Sequence, residues 1–169
     1  GGGGWPLAAR GGGVRARCGA DGVCGGNTNR RLLALVGEVG RARVAVMAGR
    51  AHRSHPAIEV DAIADFLTSA NLATWLDRGY SLVIDCCDAF RVKVETIAWC
   101  RRRKLPLITC GSAGGRTDPT LIAVRDLAKT EHDALPALVR RTLRGEFNFP
   151  RGPKRDVRVQ AVCSRANRA

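Results

Sequence analysis

The chain has 169 residues, 45% of them hydrophobic, enough for one globular domain with a sizeable core. It contains no apolar run of about 18 residues, which excludes a spanning helix. Gly1 to Gly4 and Trp5 do not lead from a basic segment into an apolar one, so no secretory signal is expected. Lys and Arg number 28 against 15 Asp and Glu, a formal charge of +13. Such a surplus attracts polyanions, nucleic acid first among them. A composition that favours arginine over lysine (only Lys93, Lys104, Lys129 and Lys154) is the plain explanation beside it. The 7 cysteines include no C-x-x-C pair, so neither a closed zinc site nor a disulfide framework is expected. Their odd number suits a reducing compartment, the cytosol or an organelle matrix.

Residues 1–26 are Gly-rich, without hydrophobic period, and read as an irregular or disordered arm. Asn27 opens a helix N-cap region. Leu32, Leu35, Val36, Val39, Ala42, Val46 and Met47 recur at three-four spacing, predicting amphipathic helix to Arg53 with a break at Gly37 and Gly40. Pro56 ends it, and the alternation of Ile58, Val60, Ala62 and Ala64 predicts a strand over 57–64. A short helix follows over 70–78, with Trp75 and Leu76 inward and Gly79 as its stop. Ser81 to Ile84 is a continuous apolar run, suited to a strand buried on both faces. Residues 88–103 form the next helix, with Ile97, Ala98 and Cys100 inward and a basic end that suits the helix dipole. Pro106 to Cys110 is another short strand, 111–119 a loop, 121–126 a strand, and 134–143 a helix. Beyond Gly145 only 157–162 is able to form a strand. Strand–helix alternation at this spacing predicts βαβ units and a mainly parallel sheet.

Open parallel sheets bind ligands beyond the carboxyl ends of their strands. There stand Asp85 and Asp88, two carboxylates able to hold magnesium and attached phosphates. The plainer reading has Asp88 capping the next helix and Asp85 ending the strand. Asn27-Thr28-Asn29-Arg30-Arg31 offers amides for a ribose or base and guanidinium forks for phosphate, or simply a cap followed by solvated arginines. The glycines of 111–119 allow close backbone approach, or only a turn. That loop has neither a Walker pattern nor G-x-G-x-x-G.

These clusters, with Val23-Cys24, Val39-Gly40, Val46-Met47-Ala48, Asp65-Phe66 and Gly79-Tyr80-Ser81, form an ordered series. It continues through Val83-Ile84-Asp85 with Asp88, Ile97-Ala98 with Cys100-Arg101-Arg102, Pro106-Leu107 and Gly114-Gly115. Asp118-Pro119-Thr120 and Asp126-Leu127-Ala128-Lys129-Thr130 close it. Over roughly 23–145 the series resembles the tRNA threonylcarbamoyladenosine dehydratase family, within the ThiF/MoeB superfamily that includes ubiquitin-activating enzymes. The resemblance implies an incomplete Rossmann-like α/β fold, a homodimer, and ATP-dependent adenylation and cyclisation of a modified adenosine beside the anticodon of tRNA. It implies that Asn27 and Arg30 contact ATP, that Asp88 holds Mg2+, and that Arg43 stands where the family has a phosphate-reaching lysine. The catalytic set so implied is Arg30, Arg43 and Asp88.

The chain departs from the family pattern at its ends. The glycine loop Gly-x-Gly-Gly-Val-Gly-Ser is absent, Gly1 to Trp5 being its remnant at best. The ribose-binding acid aligns with Gly19, with Asp21 nearby, and Cys163 falls near but not at the family's cysteine. The division expected is an arm over 1–26, an adenylating α/β core over 27–145 and a basic irregular tail over 146–169, with ends frame-shifted or truncated relative to an intact gene. Two other readings stand beside the enzyme: an inactive ThiF-like protein, and a basic nucleic-acid-binding domain.

Overall fold

The computed structural model describes residues 7–10, 13–18, 22–27, 34–112, 114–152 and 155–166. Seven strands form one sheet in the order β3-β2-β1-β4-β5-β7-β6. They are β1 (Leu7–Arg10), β2 (Gly13–Cys18), β3 (Ile63–Ala64), β4 (Leu82–Asp85), β5 (Leu107–Cys110), β6 (Ile122–Asp126) and β7 (Gln160–Ser164). The helices are α1 (Arg43–Ser54), α2 (Leu72–Leu76), α3 (Phe90–Arg102) and α4 (Ala134–Glu146). The Rossmann-like α/β class with flanking helices is as the sequence implies. Its centre is parallel, β4 with β5 and β5 with β7, and β2 runs parallel to β3. The β1–β2, β1–β4 and β6–β7 pairs are antiparallel. Among the described residues no helix is long and apolar enough to cross a membrane.

The core follows from strand parity. Val83 pairs with Leu107 and Asp85 with Thr109, which puts all four side chains on one face of the sheet. That face is buried, with Val83 at 0% and Asp85 at 2% exposure. Against it lie Val94, Ile97, Ala98 and Cys100 of α3 and Val139 and Leu143 of α4. Their spacing of three and four is the apolar stripe expected of α3. Leu82, Ile84 and Ile108, on the other face, are half-buried. The strand expected to be buried on both sides therefore has one packed face.

Other expectations are corrected. Two strands, β1 and β2, run through the expected irregular arm. The helix predicted from Leu32 begins only at Arg43; before it lie the 3-10 turn Val36–Glu38 and Gly40, whose φ of +87° suits glycine. The Gly22↔Ala42 bridge and the bond from Val23 N–H to Arg41 O hold 41–42 extended up to that point. The strand expected over 57–64 shrinks to Ile63–Ala64, because β2 offers pairing only through Arg17 and Cys18. Trp75 is half-buried, beneath the guanidinium of Arg78 at 4.5 Å, while Leu76 is buried as expected.

β7 lies in the segment expected to be a basic irregular tail, overlapping the 157–162 stretch judged able to form a strand, and it occupies the sheet interior between β5 and β6. Asp126 directs it there. Its Oδ1 accepts from Ala128 N–H and Val157 N–H, and its Oδ2 from Arg158 N–H at 2.7 Å. Leu127 beside it is buried at 1%, and Lys129 pairs with Asp156 at 2.8 Å. Much of the Asp126–Thr130 motif thus serves to dock the segment that enters β7.

Candidate functional site

At the carboxyl ends of β4 and β5 a charged pair is buried. Lys93 and Asp85 are each 2% exposed and meet at 2.6 Å. The ammonium also donates to Thr109 Oγ1 at 3.0 Å and to the Cys110 carbonyl at 3.1 Å, so all three of its hydrogens are used. Thr109 donates in turn to Asp85 Oδ2 at 2.7 Å, and Cys87 N–H to Asp85 Oδ1 at 2.9 Å. Burying two charges is tolerable only with such complete pairing. The network pins the loop after β4 to the start of α3 and to the last turn of β5. Asp85, expected as a metal ligand or a simple strand end, is instead the acceptor at the centre of this network.

Asp88 is differently placed. It is exposed, on the loop between β4 and α3. It is not the helix cap of the plainer reading, since the N-cap is Ala89, whose N–H reaches Cys87 Sγ at 3.3 Å. One exposed carboxylate at a strand's carboxyl end suits magnesium, which usually keeps several waters and takes one or two carboxylates plus substrate phosphates. Among the described residues no group of three or more His, Cys, Asp or Glu is arranged to hold a metal ion.

The remaining expected site residues lie on other elements or outside the described residues. Asn27 ends a 3-10 turn over Gly25–Asn27. Arg30 lies outside the described residues. Arg43 is buried at the start of α1, with Nη2 donating to the Gly22 carbonyl at 3.4 Å. Val23, Ala34 and Val46 pack as a small cluster of their own on this side. β1 is followed in chain order by β2, paired to it antiparallel, where a phosphate-gripping loop needs a helix N-terminus.

The glycine-rich loop after β5 has one position that demands glycine. A Cβ on Gly111 would land on Asp133 Oδ2, which accepts from Ser112 N–H at 2.8 Å. Beside this loop a cavity of about 300 Å³ is lined by Cys110, Ser112, Arg116, Val162 and Cys163, among others. The sulfur of Cys110 lies 3.3 Å from that of Cys86. The hydrogen bond from Cys86, aided by the charge of Lys93 and opposed by burial, brings the Cys110 thiol down to about 7. The same bond, with burial, pushes Cys86 up. Cys163 is buried within β7, paired in register with Ala123, and burial raises its pKa.

Lys93 and Thr109 were not singled out from the sequence. A signal existed: Lys93, Ile97 and Cys100 share one helical stripe, so this lysine faces inward with the apolar residues.

An open α/β sheet with a loop-borne carboxylate beyond the carboxyl ends of its central parallel strands is the layout of a nucleotide-handling fold. Comparison makes the class definite: the ThiF family model matches residues 20–156, and the chain belongs to the ThiF family. It is 43% identical over 144 residues to tRNA threonylcarbamoyladenosine dehydratase of Haemophilus influenzae, covering 85% of this chain and 55% of that protein. The Escherichia coli protein of the same name is 45% identical, with 85% and 54% covered. The chain thus spans about half the length of these curated relatives. The structure of the E. coli enzyme, TcdA, in complex with ATP superposes with a TM-score of 0.84 at 44% identity, covering 88% of this chain and 61% of that one. The same enzyme in complex with AMP superposes with a TM-score of 0.82.

Proposed function

We propose that this chain carries the Asp88 side of an ATP-dependent adenylating site that acts on threonylcarbamoyladenosine in tRNA. The observation that carries it is the exposed Asp88 carboxylate, presented at the end of β4 by the buried Asp85–Lys93–Thr109 network in a chain that superposes on ATP-bound TcdA. Bound ATP and Mg2+ would supply an activated α-phosphate for attack by the substrate carboxylate. In this reading Asp88 holds the cation through its carboxylate, Asn27 and Arg30 contact the nucleotide, and Arg43 contributes positive charge toward its phosphates. Fixed cations of this kind neutralise charge as it develops in an in-line displacement. The +13 surplus draws the tRNA polyanion toward the sheet. A homodimer in the cytoplasm completes the reading, with 27–145 as the adenylating core.

The β1–β2 pairing favours a second reading. Among the described residues β1 is followed by β2 with no helix between them, so no helix N-terminus stands there to grip a triphosphate, and in this reading the chain alone holds ATP poorly. Calorimetry separates the two. The first expects Mg2+-dependent ATP binding that Asp88→Asn abolishes, and conversion of modified tRNA to a product lighter by one water. Heat-silent titration of the wild-type chain supports the second and refutes the first.

A further inference from the structure

We propose that Cys86 and Cys110 are a redox modification site, closing to a reversible disulfide when the protein meets a hydroperoxide. Both are free, half-buried thiols whose sulfurs are in hydrogen-bond contact at 3.3 Å. The β4–β5 register ends on Asp85↔Thr109, and Cys86 and Cys110 occupy the next pair of positions. Neighbouring strands run about 4.7–4.9 Å apart, within the Cα separation of about 4.4–6.8 Å that a disulfide spans. The backbone therefore already stands at bridging distance, and small side-chain rotations bring the sulfurs to a bond of about 2.05 Å. Strand parity sets both thiols on the face opposite Asp85 and Thr109, away from the packed helices, so closure need not disturb the core.

The oxidant has a way in. Cys110 lines the cavity of about 300 Å³ beside the glycine loop, whereas Cys86 is not among its lining residues. Cys110 is accordingly the sulfur oxidised first. Its thiolate attacks one peroxide oxygen; the S–O bond forms as O–O breaks, and the departing alkoxide or hydroxide takes up the proton that Cys110 gave to water. Cys86 then attacks the sulfenic sulfur. S–S forms as S–O breaks, and the hydroxide leaves as water with the Cys86 proton. In sum two thiols lose two electrons and two protons, and the hydroperoxide becomes an alcohol and water. Cys87 is not the partner, since its sulfur is turned to the start of α3, where it accepts from Ala89 N–H. The bridge would tie the loop carrying Asp88 to the loop beginning at Gly111.

The test reads sulfur and not activity, so it stands apart from the nucleotide reading. The full chain is reduced, freed of reductant, treated with a small excess of hydrogen peroxide, blocked with iodoacetamide and digested with trypsin. The expected product is peptide 79–91, alkylated at Cys87, joined to peptide 105–116, lighter by two hydrogens than the sum of the Cys87-alkylated peptide and peptide 105–116, and separated by dithiothreitol. The link persists in Cys87→Ser and is lost in Cys86→Ser; if the latter does not fold, fragmentation between Cys86 and Cys87 of the wild-type product assigns the sulfur. Cys110 alkylated throughout, Cys110 oxidised to sulfinic acid without a link, or a link through Cys87 overturns the proposal.

Discussion

Replacing Lys93 with methionine tests whether the buried network holds the site end of the sheet. The change keeps most of the apolar stem and removes an ammonium that satisfies Asp85 at 2.6 Å, Thr109 at 3.0 Å and the Cys110 carbonyl at 3.1 Å. Asp85 keeps only the Thr109 hydroxyl and the Cys87 N–H, and its charge is left without a counterion at 2% exposure. Breaking a buried pair on one side costs about 3–5 kcal/mol. For a chain of this size each kcal/mol lowers Tm by about 2–4 °C, so a fall of about 6–20 °C is expected. Adding Asp85→Asn removes the stranded charge, and the double variant should recover about 1–2 kcal/mol relative to Lys93→Met. Urea and thermal unfolding followed by circular dichroism measure both. A Lys93→Met protein within about 2 °C of wild type, or a double variant less stable than the single, would show that the pair is not the clamp described.

Three further outcomes are expected. Asp126→Ala strips the acceptor from Ala128, Val157 and Arg158 N–H groups, and should cost about 2–4 kcal/mol; a loss within about 0.5 kcal/mol in urea melts, as at an ordinary surface site, contradicts its role in placing β7. Gly111→Ala drives a methyl group into Asp133, whose Oδ1 and Oδ2 are both held by N–H donors, and should destabilise by about 1–3 kcal/mol; unchanged stability would mean that the loop shifts freely. Because the Cys110 thiol is brought down to about 7, its thiolate fraction, and so its alkylation rate by iodoacetamide, should climb through pH 7. Cys100, pushed up to about 12 by burial, should lag far behind. A Cys110 midpoint above about 8.5, that of an ordinary cysteine, removes the basis for this expectation.

The legible parts of this fold were those where one local signal suffices. The apolar runs of β4 and β5 and the stripe of Ile97, Ala98 and Cys100 located the centre of the sheet within a residue or two. Alternation misled over 57–64, because a strand exists only where a partner pairs, and pairing is a property of the sheet. β1 and β2 escaped for the converse reason: short Ala- and Gly-rich segments become strands through register with β4 and with each other. At the site, Asp85 and Asp88 look alike in sequence and differ only in burial, which depends on a lysine eight residues on. Asp88 was legible as a residue; its freedom from the network was not.

β7 comes last among the described strands, and its place in the sheet has a consequence for how the protein is made. β5 and β6 are both synthesised before the strand that separates them. Until Gln160–Ser164 has left the ribosome, β5 has an open edge and β6 lacks its strand partner, so this side of the sheet waits on β7. Such edges template pairing between chains. The nascent protein is therefore most prone to aggregate in the interval between emergence of β6 and arrival of β7, and docking of 157–158 by Asp126 shortens that interval.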